Sequence, residues 1–109
     1  MAVEIWHNPR CSKSRQALAH LQARGTQPVV RLYLVDPPSA PEIESMLQAL
    51  GLRAADLLRP REGASWRDSP PEVIIGAMAA DPSLIERPVI RHADRAVIGR
   101  PTEAIDTLF

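Results

Sequence analysis

The chain has 109 residues, the size of one domain, and its apolar fraction of 45% is ordinary for a globular protein. Thirteen Lys and Arg offset thirteen Asp and Glu, so a formal net charge of zero gives no general attraction to nucleic acid or to an anionic membrane. A single cysteine excludes an internal disulfide and argues against a thiolate zinc site, which needs several soft ligands. The opening MAVEIWHNPR has no apolar run behind a basic start, so no secretory signal is expected. No stretch approaches the roughly 20 apolar residues of a membrane span. A reducing cytoplasm, where a lone thiol persists, is the expected location.

In chain order, Val3, Glu4 and Ile5 alternate like a short strand, and His7-Asn8-Pro9-Arg10 reads as a turn. From Cys11 a helix is expected, with Ala17, Leu21 and Leu18 on one face and Gly25 as its stop. Val29 to Leu34 reads as a second strand. Ser39-Ala40-Pro41-Glu42 has capping-box spacing and opens a helix that Gly51 closes. Ser69-Pro70-Pro71-Glu72 repeats that signature before Ile74, Ile75 and Met78. A short helical turn is expected after Asp81-Pro82. Pro88-Val89-Ile90 and Ala96-Val97-Ile98 read as strands joined by a polar turn from His92 to Arg95, and a last short helix follows Pro101. The order strand, helix, strand, helices, strand, strand, helix describes an α/β sandwich on a mixed sheet. With a cysteine after the first strand, it matches the thioredoxin-like three-layer plan with a helical insertion.

Cys11 falls where strand hands over to helix. A helix start presents free N–H groups and partial positive charge, and both favour the thiolate, which is the nucleophile. Arg10, Lys13 and Arg15 add cations nearby, and His7 adds another if protonated. A lone cysteine is commonly a small buried hydrophobe, but these neighbours suit a core position poorly. Ser14 stands where a dithiol oxidoreductase carries its second cysteine. A resolving thiol must therefore come from outside, with glutathione or a glutaredoxin as the candidates. His20 reads as an exposed structural residue of the helix and His92 as a solvated turn residue. Trp6 and Trp66 read as packing residues.

His7-Asn8-Pro9-Arg10-Cys11-Ser12-Lys13-Ser14-Arg15 resembles the active-site segment of the glutaredoxin-coupled arsenate reductases. Leu57-Leu58-Arg59, Glu86-Arg87-Pro88-Val89 and Ile98-Gly99-Arg100-Pro101 resemble that family's three arginine-bearing segments, in the same order along nearly the whole chain. The resemblance implies one thioredoxin-like domain over residues 1–109, with its helical insertion at about 39–84. It implies Cys11 as nucleophile, with His7 and Ser14 tuning or hydrogen-bonding the thiolate. It implies Arg59, Arg87 and Arg100 holding the oxyanion, and Pro88 in the cis form facing the cysteine. The activity implied is arsenate reduction to arsenite in arsenic detoxification, with glutathione as co-substrate, glutaredoxin as partner and no bound cofactor or metal. A monomer is expected from the polar composition.

Two departures stand beside this. The segment from Arg59 to Arg87 looks shorter than in the best-known members, and Ser12-Lys13-Ser14 replaces their Gly-Thr-Ser. Two other readings stay open: a glutathione-dependent thiol transferase without an arsenate role, and a redox-sensing regulator that binds RNA polymerase. Three arginines around one thiol suit an oxyanion better than a docking module, because a planar guanidinium grips two oxygens at once.

Overall fold

The computed structural model describes residues 2–109. Strand β1 (Val3–Trp6) lies at the centre of a four-stranded sheet of order β2-β1-β3-β4. It pairs in parallel with β2 (Val29–Arg31) and antiparallel with β3 (Val89–His92). Strand β4 (Arg95–Ile98) closes the hairpin with β3. Ile5 stands opposite Val30 on one side and Ile90 on the other.

Successive strand residues face opposite sides of a sheet, and here both sides are apolar. Val3, Ile5 and Ile90 pack with Ala17 and Leu21 of α1 (Ser12–Ala23) and with Ile105 and Leu108 of the 3-10 helix Thr102–Leu108. Trp6, Val89 and Ala96 turn the other way, onto Ile43, Met46 and Leu47 of α2 (Ala40–Leu50) and Ile74, Ile75 and Met78 of α3 (Pro71–Ala80). The result is the thioredoxin-like α/β sandwich: a mixed sheet between two helical layers. Full burial of a Leu or Ile contributes about 1.5–3 kcal/mol, and both layers hold several such side chains.

The boundaries follow local chemistry. Ser39 Oγ accepts from the Glu42 N–H at 3.3 Å and Glu42 Oε1 accepts from the Ser39 N–H at 3.0 Å, a complete capping box. Gly51, at φ +67°, ends α2 in the left-handed conformation that glycine adopts without steric cost. The matching box expected at Ser69 does not form. Helix α3 starts one residue later, with Pro70 as its cap and Pro71 as its first residue, and the Ser69 N–H donates to the Trp66 carbonyl at 2.9 Å.

Four further expectations change. The second strand ends at Arg31, because the Leu32 carbonyl accepts from the N–H groups of Val35 (2.9 Å) and Asp36 (2.8 Å) and turns the chain. His92 and Arg95 pair within the ladder, so the hairpin turn shrinks to Ala93-Asp94. His92 is not a free turn residue: its Nδ1 is bonded to the Leu108 carbonyl at 3.0 Å and its ring stacks on Phe109 at 5.1 Å. His20 ties α1 to the last helix through Asp106 at 2.8 Å. Trp6 packs in the core, whereas Trp66 is exposed.

Between β2 and β3 the chain is mostly helical, with 3-10 helices at Ala54–Leu57, Ala64–Trp66 and Pro82–Leu84 beside α2 and α3. An antiparallel bridge between Leu58 and Ile85 ties its two ends together. The Arg59 N–H donates to the Leu84 carbonyl at 2.8 Å and the Glu86 N–H to the Leu57 carbonyl at 2.7 Å. This clasp carries Arg59 alongside the Glu86-Arg87 segment. No helix among the described residues is long and apolar enough to cross a membrane.

Candidate active site

Cys11 is the N-cap residue of α1, with extended φ and ψ of −95° and 122°. Its N–H donates to the Asn8 carbonyl at 3.0 Å, and its carbonyl accepts from the Arg15 N–H at 3.0 Å. No acidic residue stands in the first turn of the helix to oppose a thiolate there. The residue is only 8% exposed, more enclosed than its polar sequence neighbours suggest. Burial pushes the thiol up. The Ser14 N–H, the Arg87 guanidinium and the Lys13 N–H act in the opposite direction and prevail, so the thiol is held below its ordinary value.

Ser14 contributes to the thiol through its backbone. Its hydroxyl, fully buried, is taken up elsewhere: it accepts from the Asn8 N–H at 3.0 Å and shares a 2.6 Å hydrogen bond with His7 Nδ1. Burial, followed by the charge of Arg15, lowers the His7 pKa, so the ring is held toward its neutral form. His7 and Ser14 therefore brace the Asn8-Pro9-Arg10 turn that delivers Cys11.

The three expected arginines play different parts, and only Arg87 acts directly on the thiol. Arg87 is the one of the three whose guanidinium favours the Cys11 thiolate. Arg59 Nη1 is paired with Glu62 at 2.7 Å, and its charge acts on the phenol of Tyr33. Arg100 Nε donates to the Arg87 carbonyl at 2.7 Å, so it is tied to the backbone of the residue that meets the thiol. The Arg87–Pro88 and Arg100–Pro101 bonds are both cis, the second without any expectation from the sequence. Gly99 packs closely here: a Cβ there would stand 2.9 Å from Ile90 Cδ1 and 3.0 Å from Pro88 Cγ, so a larger residue would have to displace those side chains.

One neighbour escaped the sequence reading. Tyr33, the chain's single tyrosine, is 1% exposed, and its phenol lies in the field of Arg87, Cys11 and Arg59. Among the described residues neither its hydroxyl nor Arg87 Nε has a hydrogen-bond partner. The one available signal was a polar-tipped aromatic in an apolar run just before Pro37-Pro38. No group of three or more His, Cys, Asp or Glu among the described residues is placed to hold a metal ion.

The site thus places a buried thiol at a helix start, with the charge of a guanidinium favouring its thiolate, in a thioredoxin-like frame. Comparisons with known proteins narrow the class. Residues 6–108 match the ArsC family model, and the chain belongs to that family. It is 41% identical to the YfgD protein of Escherichia coli K12, over 94% of this chain and 92% of that protein. It is 38% identical to a Haemophilus influenzae protein named arsenate reductase, over 96% of this chain and 97% of that one. The solved structure of an arsenate reductase from Vibrio cholerae superposes with a TM-score of 0.94 at 37% identity, covering 100% of this chain and 98% of that one.

Proposed function

We propose that this chain reduces arsenate to arsenite at Cys11, with glutathione and a glutaredoxin supplying the electrons. The observation that carries this reading is Cys11 at the N-cap of α1, with no acidic residue in the first turn, where helix-start N–H groups and the Arg87 guanidinium favour its thiolate.

The Cys11 thiolate attacks arsenic, an S–As bond forms, and one arsenate oxygen leaves as water after protonation. A glutathione thiolate then attacks the Cys11 sulfur. The S–As bond breaks with its electron pair on arsenic, which falls from the pentavalent to the trivalent state and leaves as arsenite. The product on the enzyme is a Cys11–glutathione disulfide. Because the chain has one cysteine, a glutaredoxin or a second glutathione must reduce that disulfide. Two thiols are oxidised to one disulfide for each arsenate reduced.

Arg87 stabilises the thiolate first and then the oxyanion, since a guanidinium stays charged at any relevant pH. Arg59 and Arg100 supply further positive charge at the rim. His7 and Ser14 hold the loop, and Pro88 and Gly99 set the backbone that carries Arg87.

The test is direct measurement of arsenite from purified protein, arsenate, glutathione and glutaredoxin, with each component omitted in turn. Arsenite formation that needs all of them is the expected result. Glutathione-disulfide exchange at Cys11 with no arsenite would replace this reading with thiol transfer.

A further inference from the structure

Two buried polar groups beside Cys11 are left without partners by the protein itself. Tyr33 is 1% exposed, and a buried tyrosine ordinarily delivers its hydroxyl to an acceptor. Here neither the Tyr33 hydroxyl nor Arg87 Nε makes a hydrogen bond to any described residue. The third unpartnered group, Trp6 Nε1, belongs to a side chain that also borders a separate shallow pocket with Glu4, Ser45 and Arg91. Tyr33 and Arg87 instead act electrostatically on one another and on the Cys11 thiol.

Arg87 Nε can only donate, and the Tyr33 hydroxyl has a proton to donate as well, so what the pair lacks is an acceptor with several lone pairs. A tetrahedral oxyanion next to the sulfur is such an acceptor. We propose that the Tyr33 hydroxyl donates a hydrogen bond to an oxygen of the bound oxyanion, as a substrate-contacting residue of this site beside Arg87. The proposal rests on the reading that an oxyanion binds at Cys11.

The ring is fixed for this task before substrate arrives. Strand β2 stops at Arg31, whose carbonyl accepts from the His7 N–H at 2.8 Å, and the chain turns at Leu32. Tyr33 is thereby tucked into the larger core with Trp6 and Val89 instead of continuing the edge of the sheet. A donor held by packing needs little reorganisation when charge develops nearby. Burial, as the largest influence, raises the phenol pKa, so the group stays an uncharged O–H donor at neutral pH. A neutral hydroxyl can also accept from an oxygen that carries a proton, which an arginine cannot do. The site would then combine one partner for charge with one that tolerates either protonation state of the oxyanion.

Tyr33→Phe removes one oxygen and keeps the packed ring. The measurement is protection of Cys11 from iodoacetamide by arsenate, with the pH profile of alkylation and the thermal midpoint recorded for both proteins. A buried hydrogen bond to a charged acceptor accounts for roughly a tenfold to hundredfold change in binding. The half-protecting arsenate concentration is therefore expected to rise by about tenfold or more. The alkylation midpoint without arsenate should not move. The thermal midpoint should hold or rise, because the variant loses a buried group that the fold leaves unpaired. Unchanged protection by arsenate overturns the proposal. So does a shifted alkylation midpoint, which would place Tyr33 on the thiol, or a lowered thermal midpoint with unchanged protection, which would make the hydroxyl structural. Failure of arsenate to protect the parental protein at all overturns the oxyanion reading itself, and that result is distinct from the others.

Discussion

The two faces of the sheet are built differently. The face covered by α1 and the last 3-10 helix has a small core of Val3, Ile5, Ala17, Leu21, Ile90, Ile105 and Leu108, all aliphatic. The face covered by α2 and α3 is larger and includes Trp6 and Tyr33, two of the three buried polar groups left unpartnered among the described residues. The third, Arg87 Nε, belongs to the guanidinium that acts on Tyr33. Unpaired buried polar atoms are a cost that a purely structural core avoids. The small face holds α1, and with it Cys11, in place; the large face carries the unpartnered polar atoms of Trp6 and Tyr33.

Cys11→Ser tests what both faces serve, and it should have the largest effect. No detectable arsenite formation is expected, because a serine hydroxyl is a far weaker nucleophile at neutral pH and cannot form a disulfide. Circular dichroism should remain parental. Near-parental turnover in this variant would remove the mechanism.

Leu21→Ala damages the small face alone. Leu21 is fully buried against the sheet, so a loss of about 2–5 kcal/mol in urea unfolding is expected. The alkylation midpoint of Cys11 in the folded variant should stay parental, since the thiol is supported by helix-start N–H groups and Arg87, none of them in that core. A large shift in the midpoint would show that the two faces are not separable.

Arg87→Lys is the mirror image. It keeps a cation but loses the planar fork, so activity should fall by about tenfold to a hundredfold. The Cys11 alkylation midpoint should move up, because a hydrogen-bonding partner of the thiolate is weakened. Stability should change little. Silence in both readouts would take Arg87 out of the site.

Glu42→Gln lies away from both cores and should have the smallest effect. The Arg31 guanidinium hydrogen-bonds Glu42 and, with the Ser39 N–H, lowers its pKa from an ordinary value of 4.5 to about 2. A carboxylate depressed in the folded state adds stability above its unfolded pKa and loses it as pH falls through the folded value. The substitution should therefore lower the urea midpoint slightly at pH 7 and not at pH 2. Glutamine preserves the capping box, which isolates the ion pair.

Much of this organisation was readable from local patterns. Alternation at Val3-Glu4-Ile5 and Val89-Ile90, the Ser39 to Glu42 box and the stops at Gly25 and Gly51 locate most elements, because each depends on neighbours in sequence. Cys11 at a helix start is legible for the same reason. The Leu58–Ile85 bridge is not, since it joins distant segments without a local signature, and it is what carries Arg59 toward Arg87. The turn at Leu32 was hidden inside an apolar run that suits a strand equally well. With it went Tyr33, whose meaning depends on who lies opposite and not on its sequence neighbours. Proline pairing misled at Ser69, where the cap falls on Pro70.

Strand β2 also has a consequence for how this protein behaves in company. It is an edge strand with Val29 56% and Val30 43% exposed, a combination that invites another chain to add a strand. Its brevity counters the invitation. Only Val29–Arg31 are extended, Pro28 immediately before them offers no N–H, and the chain turns away at Leu32. An incoming strand would find a ladder too short to hold it. The same turn that hides Tyr33 thus keeps an apolar edge from seeding aggregation.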